Sequence, residues 1–194
     1  MMYLRVARGA YRTGSKDELQ RAMLGQLVPA LKRQPGFQTY IGGLDRAAEE
    51  AIEVSLWEGK DGAGTTTAQP AQLASLVQFE PAELYRIVIF PAGFPYPSTG
   101  GGATTYARLA RGSYDVANQD QLAKFVGQDL LPAIHDFPGT LGMVGGVQQR
   151  AGKLVVLSLW ETRETALALE ATRARYGIMV RFEPAAIYEI VAQA

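Results

Sequence analysis

Apolar residues recur along the chain with two periods. Where they alternate, the period of two predicts strands; where they fall every three to four residues, it predicts helices. Tyr3 to Tyr11 alternates, with Leu4, Val6, Arg8 and Ala10 on one side and Tyr3, Arg5, Ala7, Gly9 and Tyr11 on the other. A helical stripe follows: Leu19, Ala22, Met23, Leu27, Ala30 and Leu31. Ser15 and Glu18 ahead of it have capping-box spacing. Pro29, late in the stripe, removes an amide donor and predicts a kink or restart, and Pro35-Gly36 ends the segment. Phe37 to Leu44 and Ala51 to Glu58 read as two strands joined through the polar stretch Asp45 to Glu50, a connection short enough for an antiparallel hairpin. The last strand is predicted from about Val77 to Phe90.

The same order then repeats at a constant offset of 103 residues. Ser55-Leu56-Trp57-Glu58 returns as Ser158-Leu159-Trp160-Glu161, and these hold the only two tryptophans. Phe79-Glu80-Pro81-Ala82 returns as Phe182-Glu183-Pro184-Ala185, Pro35-Gly36 as Pro138-Gly139, and Gly42-Gly43 as Gly145-Gly146. The second copy has its strands at Tyr106 to Tyr114, Thr140 to Val147, Leu154 to Glu161 and Val180 to Ala192. Its helical stripe is Leu122, Phe125, Val126, Leu130, Ala133 and Ile134, with Asn118 and Gln121 in the capping positions. A repeat at fixed period governs the architecture. It divides the chain into residues 1–91, a Pro/Gly-rich linker at 92–105, and residues 106–194.

The copies differ at the second helix. Thr162 to Tyr176 is rich in Ala, Leu, Glu and Arg. Lys60 to Gln72 contains Gly62, Gly64, three threonines and Pro70, which predicts a short, broken or displaced helix. On the first strand, Tyr3, Arg5, Ala7, Gly9 and Tyr11 are identical to Tyr106, Arg108, Ala110, Gly112 and Tyr114, whereas the other side has drifted. The unchanged side is expected to meet something both copies share, and the drifted side to carry the helices.

Each copy therefore reads β-α-β-β-α-β, the ferredoxin-like plan. The fold class expected is α+β: two ferredoxin-like repeats packed sheet to sheet as an intramolecular dimeric α/β barrel. With the Pro-Gly after the first helix and the Leu-Trp-Glu ending the third strand, the chain resembles the dimeric α/β-barrel superfamily and, within it, antibiotic biosynthesis monooxygenase-like domains in fused form. That resemblance implies a cofactor-free oxygenase acting on polycyclic phenols, although the superfamily also includes haem-degrading enzymes, isomerases and proteins without activity. The haem-degrading branch has a pocket tryptophan, to which Trp57 and Trp160 would correspond. It also has a histidine on the second helix and an asparagine on the first strand, and this sequence has neither.

Composition narrows the chemistry. The 194 residues carry 19 basic and 19 acidic side chains and no cysteine. No basic field suggests nucleic acid or anionic lipid, no run is long and apolar enough to span a bilayer, and disulfides and thiolate chemistry are excluded. A cytoplasmic protein is expected, with no metal, no cofactor, and a small aromatic or anionic molecule as partner; assembly of the fused pair into a homo-oligomer stays open. Arg108, Trp160 and Tyr114 are the candidate catalytic residues, with Arg5, Trp57 and Tyr11 as their weaker equivalents and Tyr85 and Tyr188 as substrate-binding hydroxyls. Each has a structural alternative: core packing for the indoles, backbone pairing for the tyrosines, and an internal ion pair for the arginines with Glu58, Glu161, Glu80 or Glu183. The lone His135 falls at a helix C-terminus, where a cation is stabilising. A non-catalytic binding or assembly module is the competing reading, and haem held by some other ligand a weaker third.

Overall fold

The computed structural model describes residues 1–12, 16–64, 70–89, 105–171 and 179–194. They form two compact units. The first is Met1–Arg86 with Tyr188–Ala194, and the second includes Ile87–Ile89 and residues 105–187.

In the first unit, β1 (Met2–Tyr11) pairs antiparallel with β3 (Glu50–Glu58), which pairs with β2 (Phe37–Asp45). The hairpin between them is fixed by Asp45, whose Oδ1 accepts hydrogen bonds from the amides of Ala47 and Ala48 at 3.0 and 3.3 Å. The second unit repeats this with β6 (Tyr106–Ser113), β7 (Thr140–Gln148) and β8 (Lys153–Trp160). The predicted last strands are each broken at their proline. Val77–Phe79 (β4) and Glu83–Ile89 (β5) flank Pro81, and Arg181–Phe182 (β9) and Ala186–Gln193 (β10) flank Pro184. Proline has no amide to give the ladder. β5 and β10 each pass from one unit to the other, so that β2 is bordered by the end of β10 and the Ile87–Ile89 end of β5 belongs with β7.

The first helix carries the predicted proline effect in both copies. It runs as Lys16–Ala22 (α1), a π-helical stretch Met23–Leu27, and Val28–Lys32 (α2), with Pro29 in the first turn of α2. The amide of Val28 reaches back five residues to the Met23 carbonyl. The second copy has Gln119–Phe125 (α5), a π stretch Val126–Leu130 and Leu131–His135 (α6), with Pro132 placed alike. A wider turn ahead of a residue that cannot donate is one of the recognised ways a helix absorbs proline.

The predicted cap at Asn118 does not form. Asp115 Oδ1 instead takes the Ala117 amide at 2.9 Å and starts a short 3-10 turn, Val116–Asn118, ahead of α5. Ser15 lies outside the described residues, as does the linker apart from Thr105. The second helix of copy one is short and broken as predicted: Lys60–Gly64 (α3), then Ala71–Leu76 (α4) starting after Pro70. Its counterpart, Arg163–Ala168 (α7), is capped by the Thr162 hydroxyl, which takes the Thr165 amide at 3.2 Å; residues 172–178 of the predicted helix lie outside the description.

One expectation is reversed. The unchanged side of β1 carries the helices. Tyr3 and Tyr11 pack on a core built from Leu19, Ala22, Met23, Leu27, Leu31, Trp57 and Leu73. The drifted side, with Leu4 and Val6, is buried as well, so burial does not distinguish the faces by hydrophobicity. The identity between copies has local causes. A Cβ on Gly9 would collide with the Gln78 carbonyl and lie 2.6 Å from Phe79 Cα, because β4 pairs closely with β1 there; Gly112 faces Val180, Arg181 and Phe182 at the matching pairing of β6 with β9. Gly36 and Gly139, at φ +79° and +82°, end the first helix in a left-handed turn and give their carbonyls to the amides of Glu58 and Glu161. Pro-Gly and Trp-Glu thus recur together because one hydrogen bond joins them.

Gly9→Ala is expected to lower stability by about 2 kcal/mol or more, since backbone rather than a flexible side chain must give way. Gly25→Ala, where a Cβ meets nothing within 4 Å, is expected to be neutral or stabilising. Urea denaturation of the two variants checks the contrast.

Candidate functional site

The β1–β3 register aligns a row of polar groups on the helix-facing side of the first unit. Tyr3 lies opposite Trp57, Arg5 opposite Ser55, and Ala7 opposite Glu53. On the far side of β3, Tyr40 lies opposite Ser55 and Gly42 opposite Glu53, while Arg86 of β5 faces Tyr3. Directly paired residues share a face, so Arg5, Glu53, Ser55, Trp57, Tyr40 and Arg86 form one layer between sheet and helices.

Trp57 is 1% exposed. Its indole N–H donates to Ser55 Oγ at 2.8 Å, and its ring meets Phe37 edge-on at 5.4 Å. The Arg5 guanidinium stands 3.9 Å from Glu53 Oε2, at the outer limit of an ion pair. Glu53 is almost wholly buried; its Oε1 has no hydrogen-bond partner, and neither has the Tyr40 hydroxyl beside it. Burial raises the Glu53 carboxyl from an ordinary 4.5 to about 7, outweighing the opposing attraction of Arg5 and the neighbouring Tyr40 hydroxyl. Burial, and next the adjacent Glu53, push the Tyr40 phenol well above its usual value. A charge pair at this separation does not repay the cost of taking a carboxylate out of water.

The second unit keeps part of this layer. The Trp160 N–H donates to Ser158 Oγ at 2.8 Å, and its ring meets Phe137 edge-on at 5.7 Å. Arg108 lies opposite Ser158 and is buried, but its guanidinium is held by Glu170, beyond the end of α7. Val156 and Met143 stand where the first unit has Glu53 and Tyr40.

The other predicted site residues are placed elsewhere. Tyr11 and Tyr114 are on or just beyond the ends of β1 and β6 remote from the tryptophans, about 8 residues and so roughly 26 Å along a strand. Tyr114 lines an open cleft of about 430 Å³ with Ser113, Asp115, Asn118, Met179, Val180 and Arg181, which contains neither Arg108 nor Trp160. Tyr85 lies opposite Leu4, on the face away from Arg5, and donates to Glu83 at 2.8 Å. Tyr188 packs over Gly43 and Ile52 on that same face and hydrogen-bonds Glu50, which pairs with Arg8 at 3.5 Å. Arg8 is therefore part of a network rather than freely solvent-facing. The carboxylates expected for the arginines also differ: Glu53 and Glu170 take Arg5 and Arg108, and Glu183 pairs with Arg111 at 2.5 Å. His135 is exposed beside Asp136.

Sequence reasoning missed Glu53, Tyr40 and Arg86. Their signal was an acidic and a phenolic side chain at the helix-facing positions of two buried strands, changed to Val156 and Met143 in the other copy.

Comparison with known proteins bears on the fold. No protein-family model and no curated protein matches the chain. Solved structures match it over almost its whole length. It is similar to a candidate monooxygenase from Lactobacillus acidophilus (12% identity, TM-score 0.62, covering 100% of this chain and 95% of that one). It is also similar to an anthrone oxidase-like protein (13%, 0.61, 100% and 92%). A third likeness is to a ferredoxin-fold protein from Listeria monocytogenes related to antibiotic biosynthesis monooxygenases (11%, 0.58, 98% and 94%). The chain has the fused dimeric α/β-barrel fold, α+β, with two ferredoxin-like repeats in one polypeptide. No helix among the described residues is long and apolar enough to cross a membrane.

The raised Glu53 value has a sign that can be checked. Between about pH 4.5 and 7 the folded chain keeps a proton that the unfolded chain releases, so this group makes stability fall as pH rises, and the full cost is present above 7. At 1.36 kcal/mol per unit that cost is about 3 kcal/mol. Glu53→Gln, which cannot ionise, is expected to gain on the parent by up to that amount between pH 4.5 and 8, measured by denaturant midpoints at each pH.

Proposed function

We propose that the protein is a cofactor-independent oxygenase of small aromatic or polyphenolic substrates, working in the cytoplasm. The observation that carries this reading is the repeated layer itself. In each unit a guanidinium, Arg5 or Arg108, is held under the helices one strand position from a tryptophan whose N–H is tied to a serine. A flat apolar ring beside a fixed cation suits an aromatic anion. The names of the similar structures, a candidate monooxygenase and an anthrone oxidase-like protein, support the same class.

The chemistry would be the substrate's own. A ring methylene or phenol loses a proton, and its electron pair adds to dioxygen. A C–O bond forms, the O–O bond breaks as the second C–H proton leaves, and the methylene becomes a carbonyl while the other oxygen departs as water. The protein supplies orientation and stabilises the anion through the guanidinium. A binding protein without catalysis is the second reading. Its structural form, with the layer filled by its own side chains, is favoured by the full burial of both indoles and the carboxylate already beside each arginine.

Oxygen uptake with hydroxylated anthrones and quinols tests the proposal. A rate above buffer is expected, reduced on the order of 10²-fold by Arg5→Ala or Arg108→Ala, whichever serves the working half. No rate above buffer across the panel would leave the binding reading.

A further inference from the structure

The two halves have the same backbone plan but different chemistry at one place, and the difference singles out the first. Within its sheet–helix layer, Glu53 and Tyr40 lie side by side on neighbouring strands, near enough for the phenol to act on the carboxyl, yet neither Glu53 Oε1 nor Tyr40 Oη makes a hydrogen bond of ordinary length. Buried polar atoms left short of an ordinary hydrogen bond are costly, so two together in one place need a reason. The charged and titratable groups that act on the carboxyl are Arg5 from β1 and Tyr40 from β2. From the helix side Met23 lies against the pair: a Cβ placed on Gly42 would collide with Met23 Sδ and come within 3.0 Å of Tyr40 Oη. Met23 is unbranched and repacks readily. In the second half the counterparts are Val156, Met143 and Val126, none of which can take or give a proton.

We infer that the first half alone holds a proton-abstracting site, in which Glu53 is the base for an acidic phenol or enol and Tyr40 and Arg5 hold the resulting oxyanion. This rests on the oxygenase reading for its substrate class but not for its geometry. The ligand's O–H bond breaks, its proton bonds to Glu53 Oε1, and the electron pair stays on the ligand oxygen. That oxygen accepts a hydrogen bond from Tyr40 Oη and faces the Arg5 guanidinium. In turnover the proton returns to the oxygen that leaves as water. Room for the ligand ring is made by turning Met23 aside. A carboxyl that burial raises to about 7 is basic enough to accept the proton of an acidic phenol or enol.

The test uses a hydroxyanthraquinone dye whose absorbance shifts to the red on ionisation. The full-length protein is expected to bind it in ionised form at a pH below the dye's own transition, at one ionised dye per chain. Glu53→Gln, which should remain folded by circular dichroism, is expected to lose the red-shifted form at least tenfold, Glu53→Asp to restore part of it, and Tyr40→Phe to move the bound dye's transition to higher pH. Ionised dye undiminished in Glu53→Gln, two ionised dyes per chain, or none bound to the parent would each overturn the inference. Oxygen uptake separates the two claims. Turnover unaffected by Glu53→Gln removes the base and leaves the oxygenase standing, whereas ionised dye with no oxygen uptake on any quinol leaves the site and removes the oxygenase.

Discussion

Everything in the candidate layer depends on the antiparallel ladder between β1 and β3. Its register sets Arg5 opposite Ser55, with Trp57 one step to one side and Glu53 one step to the other. Ladder bonds fix strand positions in steps of about 7 Å along one face. A slip of one residue would carry Arg5 and Glu53 to the opposite face and bring Leu4 and Val54 under the helices. The register is itself fixed at both ends. At one, the Glu58 amide is bound by the Gly36 carbonyl; at the other, β4 pairs with β1 so closely that only glycine fits at position 9. These anchors recur in the second unit at Glu161, Gly139 and Gly112. The chain can therefore vary what the layer does without losing where it is.

That separation between scaffold and chemistry explains the divergence of the halves. With Val156 and Met143 in place, the second unit has no buried acid beside Arg108, and the guanidinium takes Glu170 from the helix side instead. A buried cation without a partner would be costly, so loss of one carboxylate demands another. In the first unit Glu53 stands too far from Arg5 for a tight pair, and Arg86 adds a second guanidinium to the same face where the second copy has Glu189, which reaches Lys16 at 2.5 Å. The first layer thus holds a buried acid and a phenol where the second has Val156 and Met143.

The fold was legible in the sequence because repetition doubled every weak signal. Strand alternation, the proline in the first helix and the broken second helix of copy one all reached the structure. The faces were not legible, for a physical reason: β1 is covered on both sides. Leu4 at 0% exposure and the largely buried Arg5 are neighbours on one strand, so the usual rule that the apolar side faces the helices had no purchase. Identity between the copies points to a shared interior only until Gly9 is seen to meet the paired strand β4 and Ala7 to be 2% exposed. Alternation and strand length distribute the tyrosines: Tyr85 and Tyr188 onto the far face, and Tyr11 and Tyr114 to the far end.

What identity between copies reports is the part both must keep, which is backbone geometry. What difference reports is the part only one uses. Arg5 and Trp57 are shared with Arg108 and Trp160 and so cannot tell a working half from a resting one, whereas Glu53 and Tyr40 are present once. A glutamate on an interior strand position is expensive wherever it occurs, and the ordinary course of drift replaces it with the aliphatic residue found at Val156. Its presence in one half, beside Tyr40 and beneath Met23, is what the inferred proton transfer would use.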